Sequence, residues 1–388
     1  MRILGIETSC DETAISIIDV DEAANSVRVL ANIVHTQMDL HTPYGGVFPM
    51  LAKREHAKNL VPVLKQALDA AAMHTPGTTS IDLAQTEEIL KLEPELFTAF
   101  KAFVPTIAKP NIDLISVTAG PGLEPALWVG IGFARALSLA WNVPVVPANH
   151  MEGHVLAALI APISEGAYDL LNRRILYPAL SLLISGGHTQ IVVTDAVGSY
   201  RIAGDTRDDA VGECFDKVAR TLGLAYPGGP KVSKLAAEAR AEGIESPEPL
   251  PRPMIDSPDL DFSFSGLKTA VLYLTKRVTL DERTIKGICR EAEDAVTDVL
   301  VAKVRKAIEI YAVETMIVGG GVIANPHIRQ ALERLAVDST VKLLLPHTDH
   351  STDNALMMAL AGYFNTDKAL QPGADIVAKG TLPIGPRA

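Results

Sequence analysis

One short design occurs twice in this chain, and it constrains the fold more than any other feature. Ile3-Leu4-Gly5-Ile6 reads as an apolar strand, Glu7 to Thr13 as a polar turn, and Ala14-Ile15-Ser16-Ile17-Ile18 as the return strand. Ala179 to Ile184, Ser185-Gly186-Gly187-His188-Thr189 and Gln190-Ile191-Val192-Val193 repeat the pattern early in the second half. A faint repeat of this kind is the sign of a duplicated, two-lobed fold. A turn rich in carboxylates and hydroxyls can face a ligand, and paired glycines let backbone N–H groups approach a phosphate or carboxylate. A plain solvent turn is the alternative reading of each.

The remaining elements are α/β in type. Asp113 to Thr118 reads as a buried strand, Ala119-Gly120-Pro121-Gly122-Leu123 as a tight turn, and Pro125 to Ala140 as a helix before strand Val143 to Pro147. Strand, helix and strand in this order suggest a βαβ unit with ligand loops at the strand ends. Met316-Ile317-Val318 runs into Gly319-Gly320-Gly321 and a helix start near Asn325, a common approach to a nucleotide, although no P-loop motif occurs. Residues 51–72 have helical periodicity, with Leu60, Leu64, Ala67 and Leu68 on one face and Pro62 at a start or bend. Residues 74–110 read as an insertion, with a helix from Glu87 to Phe103 between loops of Pro, Gly and Thr. The expected domains are 1–149 and 150–388, with the last helix a candidate to return to the first.

Composition narrows the setting. The 388 residues are 48% hydrophobic, enough for a large core in more than one domain. No apolar run is long enough for a membrane helix, and no charged segment leads a long apolar stretch as in a secretory leader. Three cysteines without a C-x-x-C pattern fit small buried hydrophobes in a reducing cytoplasm. A net charge of −11 disfavours general nucleic-acid binding. The local basic groups are Lys53, Arg54, His56 and Lys58, then Lys276 and Arg277, then Lys303, Arg305 and Lys306. Each group taken singly is a solvated helix face.

The chemistry gathers around Asn149-His150-Met151-Glu152-Gly153-His154. Positions i and i+4 share one helix face, so both imidazoles can point at one ion, and a carboxylate commonly completes such a site. This is not the H-E-x-x-H protease helix. Asp353 opens the last helix, where it is a natural N-cap and a candidate third ligand. For the pair alone, two ordinary histidines at a strand–helix junction is the simpler reading.

Taken together, the motifs Gly5 to Thr13, Ala119 to Leu123, His150 to His154, Ser185 to Thr189, Tyr226-Pro227-Gly228-Gly229-Pro230, Asp261 to Lys268 and Ser351 to Asn354 resemble the TsaD family. Its members are tRNA adenosine threonylcarbamoyltransferases, related to the catalytic subunit of KEOPS. The resemblance runs over nearly the whole chain. It departs in the longer 74–110 segment and at Glu124-Pro125. It implies an actin-like fold of the sugar kinase, Hsp70 and actin class, made of two duplicated RNase H-like domains. It also implies a divalent metal, iron or zinc, on His150, His154 and Asp353. Substrate contacts are implied at Leu183, Ile184, Ser185, Gly186, Gly187, Asp216, Gly229 and Asn325, around an adenylate or ATP-like nucleotide.

The implied reaction moves a threonylcarbamoyl group from threonylcarbamoyl-AMP to the exocyclic amine of the adenosine beside the anticodon. The tRNAs concerned read codons that start with A, and AMP leaves. Asp11 or Glu12 is a candidate to take the amine's proton. Implied partners are tRNA, an inactive paralogue (TsaB) and a small ATPase (TsaE), with no membrane. The apolar stripe of helix 51–72 is one candidate docking face, and core packing is the alternative. Competing readings are an actin-like ATPase or kinase, a metallo-glycoprotease, and a non-enzymatic nucleotide-binding scaffold. Two metal histidines argue against a kinase, since kinases hold magnesium through carboxylates and water.

Overall fold

The computed structural model describes all 388 residues. The chain forms two compact units. The first is Met1–His41, Val47–Arg173 and Asp353–Ile384, and the second is Thr42–Gly46, Arg174–Thr352 and Gly385–Ala388. The main crossing is therefore at Arg173–Arg174 rather than at the expected 149/150, because the segment after His154 adds two more strands to the first sheet.

The first unit contains β1 Arg2–Glu7, β2 Glu12–Asp21, β3 Ser26–Thr36, α1 Met38–His41, α2 Pro49–Ala70, α3 Leu83–Ile89 and α4 Pro94–Phe103. It continues with β4 Leu114–Gly120, α5 Glu124–Trp141, β5 Val145–Asn149, α6 His150–Ala157, β6 Ile160–Ser164 and β7 Ala167–Leu170. The sheet order is β5-β4-β1-β2-β3-β7-β6. β1, β2 and β3 are antiparallel, with Ile6 opposite Ile15, while β4 and β5 run parallel to β1. β1 and β4 are almost continuously apolar and buried, as central strands covered on both faces must be.

One open alternative closes here and one expectation changes. Leu60, Leu64, Ala67 and Leu68 of α2 are fully buried in the core, so that stripe is packing and not a docking face. The 74–110 segment holds two helices rather than one from Glu87, because Pro94 sits at a helix start, where its missing N–H costs nothing. Leu90, Leu96, Phe100, Val104 and Ile107 all lie in the core, so the segment is not a surface appendage.

The second unit contains β8 Ala179–Ile184, β9 Thr189–Ala196, β10 Ser199–Asp205, α7 Val211–Thr221, α8 Gly228–Glu242, α9 Ser265–Thr275 and α10 Glu282–Tyr311. β11 Thr315–Gly319, α11 Pro326–Asp338 and β12 Lys342–Leu344 complete it. Its sheet order is β10-β9-β8-β11-β12. β8 to β10 are antiparallel, with Leu182 opposite Ile191, and β11 and β12 are parallel to β8. Third, second, first, fourth, fifth is the order of the first five strands of the other sheet too. The repeated hairpins thus head two copies of one RNase H-like topology, the actin-like α/β class. Asp281 caps the long helix α10, and apolar residues of α7, α9, α10 and α11 fill the core.

The last helix, α12 Ala355–Phe364, belongs to the first unit. A Cβ on Gly5 would stand 2.3 Å from the Ala355 carbonyl oxygen, so only glycine lets β1 and α12 lie this close. No helix is long and apolar enough to cross a membrane.

Candidate metal centre and nucleotide cavity

The two histidines are placed by a helix start. Asn149 ends β5, and its side-chain oxygen accepts from the Met151 and Glu152 N–H groups at 2.9 and 3.2 Å. His150 therefore opens α6, and His154 follows one turn later on the same face. Their ring centroids are 4.7 Å apart and nearly perpendicular. The expected N-cap role of Asp353 falls instead to Asn354, whose side chain accepts from Met357 N–H. The Asp353 carboxylate lies against the histidines, with Oδ1 3.1 Å from His154 Nε2 and 3.6 Å from His150 Nε2.

One donor atom from each of the three residues lies within 4.8 Å of the others. His154 Nε2 is buried and makes no hydrogen bond, despite its short distance to Asp353. Such an orphaned buried atom is costly unless something else satisfies it. Two imidazole nitrogens and a carboxylate oxygen form a donor set suited to zinc or iron. The residues thus fit a metal ion. Glu152 does not take part; its Oε2 accepts from Asn365.

Behind His150 stands a second carboxylate. His150 Nδ1 donates to Glu7 Oε2 at 3.1 Å and lies 3.2 Å from Ser9 Oγ. Thr118 Oγ1 and Ser9 N–H donate to the same Glu7 carboxylate, which is fully buried. A carboxylate on the far nitrogen fixes the tautomer and aims the near nitrogen at the ion. Burial alone would lower the His150 pKa, but Glu7 and Asp353 push it up to about 9. Burial would raise Glu7, and the charge and hydrogen bond of His150 bring it below the usual range. A site that holds a proton this firmly is one in which a cation is strongly stabilised. Glu12, a candidate base, is held well above the usual range by burial and then by Asp353 and Asp11.

The predicted substrate residues all lie in the second unit. Gly186, Asp216, Gly229 and Asn325 line one cavity of about 510 Å³, with Gly212, Phe215 and Gly321. Ser185 and Gly187 belong to the same hairpin, where Ser185 N–H and the His188 carbonyl close the turn at 2.9 Å. Leu183 and Ile184 are buried in β8. A side chain on Gly186 or Gly187 would meet nothing within 4 Å, so open backbone rather than packing distinguishes them. Gly212 is different: its Cβ would stand 2.8 Å from Gly186 Cα, so α7 starts directly against the hairpin. Asp216 accepts from Gly228 N–H at 2.7 Å. Burial raises its carboxyl pKa, opposed in part by the Gly228 and Gly229 N–H groups. Gly320, at φ +92°, turns β11 toward Asn325 with no room for a Cβ beside the Ile184 carbonyl.

Two residues of consequence escaped the sequence reading. Glu7 was visible only as one acid in a polar turn; the signal was a carboxylate ending an otherwise apolar strand. Glu293 is fully buried on the apolar face of α10, between Cys289 and Val296. A lone acid on such a face was the mark to follow.

Comparison with known proteins identifies the family. The family profile described as "TsaD: tRNA N6-adenosine threonylcarbamoyltransferase" matches residues 28–86 and 91–360. A tRNA N6-adenosine threonylcarbamoyltransferase from Aromatoleum aromaticum is 39% identical over 388 residues, covering 100% of this chain and 98% of the relative. One from Thermosipho africanus is 39% identical over 384 residues, covering 99% of this chain and 100% of the relative. Among solved structures, a ROK hexokinase from Thermus thermophilus aligns at a TM-score of 0.43 and 13% identity, over 95% of this chain and 99% of that one. The full-length matches decide the assignment: this chain belongs to the TsaD family of tRNA N6-adenosine threonylcarbamoyltransferases.

Proposed function

We propose that this chain takes the threonylcarbamoyl group from threonylcarbamoyl-AMP, passes it to the exocyclic amine of the adenosine next to the anticodon, and releases AMP. The tRNAs are those reading codons that start with A. His150, His154 and Asp353 would hold iron or zinc, which when bound supplies Lewis-acid polarisation of the acyl carbonyl and an anchor for the threonyl carboxylate. Glu7 keeps His150 turned toward that ion. The open glycine backbone at 185–187 and 229 receives the phosphate, Asp216 the ribose hydroxyls, and Asn325 the adenine side. Leu183 and Ile184 contribute backbone only. Asp11 or Glu12 takes the proton that the attacking amine sheds. The work is done in the cytoplasm, with an inactive paralogue (TsaB) and a small ATPase (TsaE) as partners. Nothing in the arrangement favours phosphoryl transfer, which would need carboxylate-held magnesium.

The observation that carries this reading is the convergence of His150, His154 and Asp353 with an orphaned His154 Nε2. The experiment is incubation of the chain with tRNA and threonylcarbamoyl-AMP, with and without the partners, followed by nucleoside analysis. Threonylcarbamoyladenosine should form and AMP should appear in equal amount. Transfer from ATP with release of inorganic phosphate would refute it.

A further inference from the structure

Asn325 is held on three sides. Its Oδ1 accepts from His327 N–H at 2.9 Å and Ile328 N–H at 3.1 Å, capping α11. Its Nδ2 donates to Glu293 Oε1 at 2.6 Å. The other oxygen of Glu293 pairs with Arg240 of α8, whose second arm reaches Asp294. Asp294 also pairs with His327 Nε2 at 3.0 Å. Glu293 is completely buried. One ion pair, its carboxylate buried and its guanidinium half-buried, thus ties α8 and α10 to the start of α11, where Asn325 lines the 510 Å³ cavity.

The bonding fixes what Asn325 can offer. A side-chain amide has two acceptor lone pairs and two N–H donors. Both backbone N–H groups fall on Oδ1, and one Nδ2 hydrogen is spent on Glu293. A single N–H is left for a ligand. Turning the amide over would aim Nδ2 at two N–H donors and Oδ1 at a carboxylate, so the flip is strongly disfavoured.

From this we infer that Glu293, held by Arg240, is a positioning residue that makes Asn325 a donor-only contact for an acceptor atom of the bound nucleotide. This rests on the reading of the cavity as the adenylate site. A Gln at 293 exposes the device. Arg240 has only donors and would claim the amide oxygen. The Gln NH2 would then face the Asn325 NH2, and the held orientation would be lost.

The test is AMP binding by calorimetry to the full chain and to Asn325→Ala, Glu293→Gln and the double variant, with turnover measured on each. Loss of one hydrogen bond predicts AMP affinity about three- to tenfold weaker in either single variant. The double variant should lose no more than one single variant, because the two residues act as a unit. KM for the adenylate should rise while kcat holds, a split that a merely structural defect would not produce. If Asn325→Ala weakens AMP but Glu293→Gln binds like the parent, the positioning role is wrong. Multiplying losses in the double variant would overturn it equally. If Asn325→Ala leaves AMP binding untouched, the placement of adenylate at Asn325 fails first and the positioning role with it. Should Glu293→Gln not fold, the packed apolar pair Glu293→Leu with Arg240→Met removes the same hold, and the same outcomes decide.

Discussion

At the scale of single residues, two histidines illustrate opposite uses of burial. His154 has no hydrogen bond for Nε2, and its stability should depend on an ion. His154→Ala is expected to lose the metal, read by elemental analysis, while circular dichroism stays unchanged. His56 is buried with both ring nitrogens facing protein partners. Its Nε2 lies 3.0 Å from the Cys10 carbonyl and its Nδ1 2.8 Å from Thr13 Oγ1. Burial lowers its pKa to about 4 from an ordinary 6.5. The unfolded chain then binds the proton more readily between those values, so stability is full above pH 6.5 and is lost as pH falls toward 4. At pH 5 the loss from this one group is about 2 kcal/mol. Urea unfolding at pH 7.5 and pH 5 should show a fall that is smaller by about that amount in His56→Gln than in the parent. An equal fall in both would show that His56 is not buried neutral.

At the scale of elements, the site depends on how closely α12 lies on β1. Gly5→Ala places its Cβ against the backbone of Ala355 and Ala359, at 2.3 and 2.6 Å. Backbone cannot step aside as a side-chain tip can. Overpacking of this sort costs on the order of 1–3 kcal/mol, and here it also shifts Asp353 away from the histidines. Chemical denaturation and metal content should therefore fall together; lowered stability with full metal content would uncouple them. The α3–α4 segment gives a second check. Phe100 is fully buried and meets Phe133 edge-on with centroids 6.1 Å apart. Phe100→Ala should cost about 3–5 kcal/mol, where a surface appendage would lose almost nothing. The sequence made the histidine pair and both hairpins legible, because strand alternation and i, i+4 spacing are local. It did not show β3, β6 or β7, whose patterns are half-exposed, nor that α3 and α4 enter the core. Those outcomes depend on partners far along the chain, as does the contact of Glu7 with His150 across 143 residues.

At the scale of the whole molecule, charge and chemistry pull apart. The chain carries −11 and acts on a polyanion. Its basic groups are mostly engaged: Lys53 pairs with Glu93, Lys58 with Glu55, Arg277 with Glu248, and Lys303 is buried beside Asp259. Since nonspecific affinity comes largely from counterion release, tRNA binding by the chain alone should be weak at physiological salt and rise when the proposed partners are added. Filter binding across a salt series checks this; tight binding by the isolated chain would contradict it. The central claim, that a metal on His150, His154 and Asp353 is required for transfer, has one direct measurement. Metal content and threonylcarbamoyladenosine formation are measured side by side in the parent and in a folded variant with both His150→Ala and His154→Ala. Stoichiometric iron or zinc with product is expected in the parent, and neither in the variant. Undiminished product from the metal-free variant would contradict it.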